Sequence, residues 1–196
     1  MEREFALYWL QMDFIQSSYG GVVMAVAWSL AYIGALLWAR QPNRRDRWLV
    51  VAAATCMGVI VFIVNQIAHA VGWWGWWGYA LPLIAQAGLL LLGTSVFFTS
   101  LLEGYRWLVS HSQHPLRTYG LIMIVILVPL TVLGDLYGLQ RGKLSFGGGY
   151  TLWQDMLIGQ VFAWLPILLY RGIAHRYQTS LSTHKGSNME RKDSLP

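Results

Sequence analysis

Five stretches of the chain, residues 21–39, 48–71, 80–102, 118–139 and 152–170, are almost free of charge over lengths matching the roughly 17 to 25 residues a helix needs to cross a bilayer. That pattern leaves few folds open. Inside hydrocarbon every backbone N–H and C=O must be satisfied within the protein, so only helices or a closed barrel can span. None of the five stretches alternates polar and apolar residues as a barrel strand does. The whole chain is 56% hydrophobic and 12% charged, against about a quarter charged in soluble domains. The expected fold is all-α: a polytopic membrane helix bundle of five transmembrane helices, with residues 21–172 forming one multi-pass domain in the lipid bilayer.

The arginines and lysines predict its orientation. Arg40, Arg44, Arg45 and Arg47 fall between the first two spans, Arg106 and Arg117 between the third and fourth, and Arg171, Arg176, Lys185, Arg191 and Lys192 after the fifth. Only Arg3, Arg141 and Lys143 fall on the other side, so the N-terminus is expected outside and the C-terminus inside. The net charge of +5 is thus a topology signal, and no nucleic-acid partner is implied. Residues 1–20 contain "EFALYWLQMDFIQ", too short to span and interrupted by Asp13, and are read as an interfacial or re-entrant segment. They lack the basic start and cleavage site of a signal peptide and are expected to stay attached. Residues 173–196 lead into "QTSLSTHKGSNMERKDSLP", whose composition predicts a disordered cytoplasmic tail.

With that orientation, the rise of about 1.5 Å per helical residue assigns each polar side chain a depth. Asn65, Gln66 and His69 lie in the outer third of the second span, Gln86 near the same level in the third, Asp135 near the outer end of the fourth, and Asp155 at the start of the fifth, with Gln160 deeper. An aspartate within a span costs on the order of 2.5 to 3.5 kcal/mol at the centre and less toward the ends. One reading is an outward-facing pocket lined by Asn65, His69, Gln86, Asp135, Asp155 and Gln160. The other is interhelical glue, with polar groups hydrogen-bonded to one another or snorkelling to water. "WWGWW" at 73–77 follows the second span, where indoles are favoured as an interfacial belt. Gly72, Gly75 and Gly78 would also let Trp73 and Trp76 fold over a cavity mouth and offer π faces to an unsaturated or cationic ligand.

No cofactor or metal is implied. Cys56 is single, His111 and His114 lack a third ligand, His69 is the one histidine within a span, and no lysine is available there for a Schiff base. "FGGGY" at 146–150 has no Lys-Ser/Thr after it and is a turn, not a phosphate loop. Pro82, Pro129 and Pro166 are expected to start or kink the later helices.

"VVMAVAWSLAYIGALLW" carries Trp28 and Tyr32 in the spacing Trp-x-x-x-Tyr, "ARQPNRRDR" follows as a basic loop, "NQIAH" places Asn65 near the end of the second span, and "LLYRG" occupies 168–172. These features resemble the integral-membrane terpene cyclases of meroterpenoid and indole-terpenoid pathways, whose second helix ends in Asn-x-x-Trp-Glu. The resemblance implies an isoprenoid-type substrate, with Trp28, Tyr32 and Asn65 contributing to its site. The chain departs from that family in having His69 where the glutamate thought to deliver the proton stands, and about five helices instead of seven. An acid–base mechanism would then use Asp135 or Asp155 as the acid and His69, oriented by Asn65, as the relay. Two other classes compete: a non-catalytic subunit of a larger membrane complex, using small-residue stretches such as "AAAT" and "AQAG" for helix contacts, and a carrier or binding protein for a small solute. A homo-oligomer is compatible with any of them.

Overall fold

The computed structural model describes the backbone of residues 18–40 and 46–193 and the side chains of 19–40 and 46–175. Five helices are long and apolar enough to cross a membrane. They are α1 (Ser18–Ala39), α2 (Asp46–Ala70), α3 (Leu83–His111), α4 (Pro115–Gln140) and α5 (Leu152–Asp193). The chain is therefore a multi-pass integral membrane protein. Most of the segment expected to be interfacial lies outside the described residues, and Ser18–Gly20 already belong to α1. The last helix is continuous to Asp193 and takes in most of 173–196, the stretch expected to be disordered; its side chains beyond His175 lie outside the described residues.

α2 and α3 form the centre. Val50, Ala53, Ala54, Met57 and Val61 of α2 pack against Phe98, Leu102, Tyr105 and Leu108 of α3, with Tyr119 and Met123 of α4 and Ala163 and Ile167 of α5 closing the core. α1 lies against α3 where Ala25 meets Gly88 and Trp28 meets Gly93, and it turns Leu30, Ile33 and Leu37 outward. Such exposed apolar side chains suit acyl chains, and helix association in lipid rests on close packing.

Two helices depart from regular winding. Gly88–Gly93 of α3 and Met123–Leu127 of α4 are π-helical. The second stretch immediately precedes Val128–Pro129, where the proline ring would collide with the carbonyl of an ordinary preceding turn; widening that turn relieves the collision. Pro166 is fully buried within α5.

The connections at one end of the bundle pair as a short antiparallel ribbon, β1 (Trp74–Trp76) with β2 (Leu144–Phe146), in the register Trp74↔Phe146, Gly75↔Ser145 and Trp76↔Leu144. The charge-free stretches predict helices alone, and strands this short leave no periodic signal. Both strands are launched by the same device. α2 ends at Gly72 (φ +73°), with Gly72 N–H donating to the His69 carbonyl and Trp73 N–H to the Ala68 carbonyl. α4 ends at Gly142 (φ +63°), with Gly142 N–H donating to Leu139 and Lys143 N–H to Gly138. These are paired glycine caps in which a left-handed residue satisfies the last carbonyls and turns the chain out of the helix. Trp77 N–H to Lys143 O (2.8 Å) and Gly147 N–H to Trp73 O (2.9 Å) extend the ribbon at either end.

Candidate functional site

At the ribbon end of the bundle, polar side chains of the spans hydrogen-bond to the connections that carry the strands. Asn65 is the hub. Its Nδ2 donates to the Val61 carbonyl (2.9 Å), its Oδ1 accepts the indole N–H of Trp74 (3.1 Å), and its backbone carbonyl accepts the Tyr79 hydroxyl (2.6 Å). Gln66 Nε2 donates to Gln86 Oε1 (3.0 Å), and the buried Gln86 returns its own Nε2 to the Leu81 carbonyl (2.9 Å). Asn65 and Gln86 therefore hold the 72–82 connection against the helices, and Gln66 ties α2 to Gln86 of α3.

The two aspartates complete a second branch. Trp74 packs on Tyr150 (ring centroids 5.0 Å apart), and the Tyr150 hydroxyl donates to Asp155 Oδ1 (3.0 Å). Asp135, on α4, lies near Asp155, and its Oδ2 is buried without a hydrogen-bond partner among the described residues. A connected path thus runs from Asn65 through Trp74 and Tyr150 to the carboxyl pair. Tyr150 also walls a groove of about 360 Å³ with Trp73, Gly148, Gly149, Gln154, Leu157 and Ile158, and Trp73 lies nearly parallel to its ring (6.2 Å, 11°).

The remaining sequence candidates fall elsewhere. His69 stacks face to face on Tyr79 (3.7 Å, 15°) and is exposed; Asn65, expected to orient it, is turned to Trp74 instead. Trp76 folds over Gly78 and meets Trp77 and Tyr79 edge-on at 5.2 and 5.5 Å. Trp28 packs on Gly93, and the Tyr32 hydroxyl pairs with Thr55 Oγ1 (2.7 Å) beside an apolar groove between α1 and α2. Gln160 is half-buried on α5 and takes no part in the network among the described residues. Sequence reasoning did not single out Tyr79 and Tyr150, since both lie in connections beyond the spans. The available signal was their position between glycine-rich turns and a helix start.

Burial pushes the Tyr79 phenol above its ordinary 10.0, and burial together with the charge and hydrogen bond of Asp155 and the charge of Asp135 pushes Tyr150 up as well. Phenols in an opened ribbon would release their protons near 10.0, whereas the closed ribbon retains them. Above that pH the closed form binds more protons than the open one, so its stability falls as pH rises. Near-UV circular dichroism of the aromatic cluster should be flat from neutral pH to about 10 and decay above it. Decay between about pH 7 and 9 would show that other groups control the ribbon.

Comparison with known protein families, with curated proteins and with solved structures yields no match.

Proposed function

We propose that the ribbon end is an acid–base site of a membrane enzyme acting on a lipophilic, isoprenoid-type substrate, as the likeness to membrane terpene cyclases implies. The observation that carries this reading is Tyr150: its ring walls the groove while its hydroxyl holds Asp155, which lies near Asp135. One carboxyl donates a proton to an alkene or epoxide of the substrate. The resulting cation closes a carbon–carbon bond and returns a proton to the pair, so the net change is an isomerisation without co-reactant. The π faces of Trp73 and Tyr150 stabilise the cationic stage and exclude water. Tyr150, kept a neutral phenol, is a positioning residue and not the acid.

Asp155→Asn should lower turnover of prenylated epoxides by about 100-fold or more, the usual contribution of a positioned acid or base. Thermal stability in detergent should be nearly unchanged. Tyr150→Phe should keep the groove wall, cost about tenfold in kcat and shift the pH–rate profile, because Asp155 loses its donor. Full activity in Asp155→Asn would remove the carboxyl pair from the mechanism.

A second reading, a non-catalytic membrane subunit, is favoured by the way Asn65 and Gln86 hold the chain's own connection. It requires stoichiometric partner chains after mild extraction and no turnover with any prenylated substrate.

A further inference from the structure

At the end of the bundle opposite the ribbon, α3 stops at His111 and α4 starts at Pro115, and the side of α5 at Tyr170–Arg171 faces the turn between them. A cavity of about 690 Å³ opens there, with Arg117 and Arg171 on its wall together with His114, Tyr105 and Tyr170. We propose that this cavity binds a phosphate monoester carried by a membrane lipid or free in solution.

Three features converge on a compact dianion. The first is unclaimed positive charge. Arg106 holds Asp46 (3.8 Å) and Glu103. Asp46 and Glu103 are thus paired with Arg106, while the exposed guanidiniums of Arg117 and Arg171 have no ion-pair partner among the described residues. No acidic residue among those described lines the cavity. A guanidinium presents a planar fork of donors that matches phosphate oxygens two at a time, and two of them offset a dianion.

The second feature is the start of α4. The first backbone bond of this helix runs from Thr118 N–H to the His114 carbonyl (3.0 Å), and no side chain of the described residues caps the turn. The amides of Leu116 and Arg117 precede that bond and face the end of the helix that favours negative charge. Pro115 at the first position has no N–H to satisfy and presets the helical φ. The third feature is the mixed wall. Val109 and Leu116 line the same cavity as the arginines, so an acyl stem and its polar head can be held together. Free headgroups or metabolites of the same chemistry would use the arginines and amides alone.

The full chain in detergent micelles, titrated with dioctanoyl phosphatidic acid or dioctanoyl phosphatidylcholine and read by native mass spectrometry, tests this. Phosphatidic acid should bind at least about tenfold tighter than phosphatidylcholine, the scale of one or two lost charge-assisted hydrogen bonds. The double variant Arg117→Gln/Arg171→Gln should lose the preference. Arg117→Lys/Arg171→Lys, which keeps the charge but not the fork, should retain part of it. Arg40→Gln, which removes an arginine of the same end outside the cavity, should retain all of it. Millimolar inorganic phosphate that displaces the lipid identifies a soluble phosphate ester as the natural class; failure to displace it identifies the lipid. Equal binding of the two lipids, an unchanged preference in the glutamine double variant, or an equal loss in Arg40→Gln would each overturn the site.

Discussion

Substituting alanine for Gly58 should destabilise the bundle by on the order of 3 kcal/mol, the upper range for a methyl forced into a packed interior. Gly58 lies on α2 in close contact with Leu91 and Ser95 of α3. A methyl there would overlap Ser95 Oγ and the Leu91 carbonyl oxygen. The hydroxyl could rotate away, but it is held by its own hydrogen bond to that carbonyl (2.6 Å), and the carbonyl is backbone within the π-helical stretch of α3. The helices must therefore separate along a seam that includes Met57, Val61, Phe98 and Leu102. Lipid tails are as apolar as the helix faces they would cover, so no hydrophobic effect offsets the separation and the close packing is forfeited outright. Gly104→Ala is the control: nothing lies within 4 Å of the added methyl, and alanine is favoured over glycine in a helix by up to about 1 kcal/mol. Unfolding in mixed detergent micelles should show a marked loss for the first variant and none for the second. Equal stability of the two would mean that α2 and α3 do not approach each other this closely.

How much of this arrangement is legible in the sequence depends on the length over which each signal accumulates. The five spans are legible because each is a long charge-free run that lipid demands. Their ends are less so: α3 continues through "EGYRWLVSH", where Glu103 and Arg106 interrupt the hydropathy while pairing with each other one turn apart, which favours helix. The ribbon is invisible to periodicity, with three residues per strand. Its caps are nonetheless written in the sequence, as a glycine two residues before each strand at Gly72 and Gly142. A pattern of helix, glycine and short apolar run occurring twice is the clue to a paired connection.

The candidate site divides in the same way. That Asn65, Gln66, Gln86, Asp135 and Asp155 belong to one end follows from helix direction and rise alone. Their partners do not, because Trp74, Tyr79 and Tyr150 sit on connections whose path is set by the ribbon. Depth places a residue along a helix axis; only packing decides whether its amide faces a cavity or an indole. Asn65 and His69, four apart on one helix, illustrate the limit: one holds Trp74 while the other stacks on Tyr79.

The second large effect concerns that clasp. Asn65→Leu should loosen the ribbon by about 1 to 3 kcal/mol, because it removes the acceptor of the buried Trp74 indole N–H and leaves that donor unpaired. The Tyr79 bond is to the Asn65 backbone and survives the substitution, so opening should be local to Trp74 and the strands it joins. Hydrogen exchange should report it at Trp77 and Gly147, whose amides bond across the ribbon, while amides in the α2–α3 core stay protected. Trp74→Phe removes the donor and most of the partner's reason for being there. If Asn65 acts through Trp74, the double variant should cost less than the sum of the singles, with a coupling of about 0.5 to 3 kcal/mol. Additive losses would instead mean that the asparagine serves something else at this end, such as a ligand in the groove beside Tyr150. The cycle therefore separates a residue that holds the wall of the site from one that touches what the site contains.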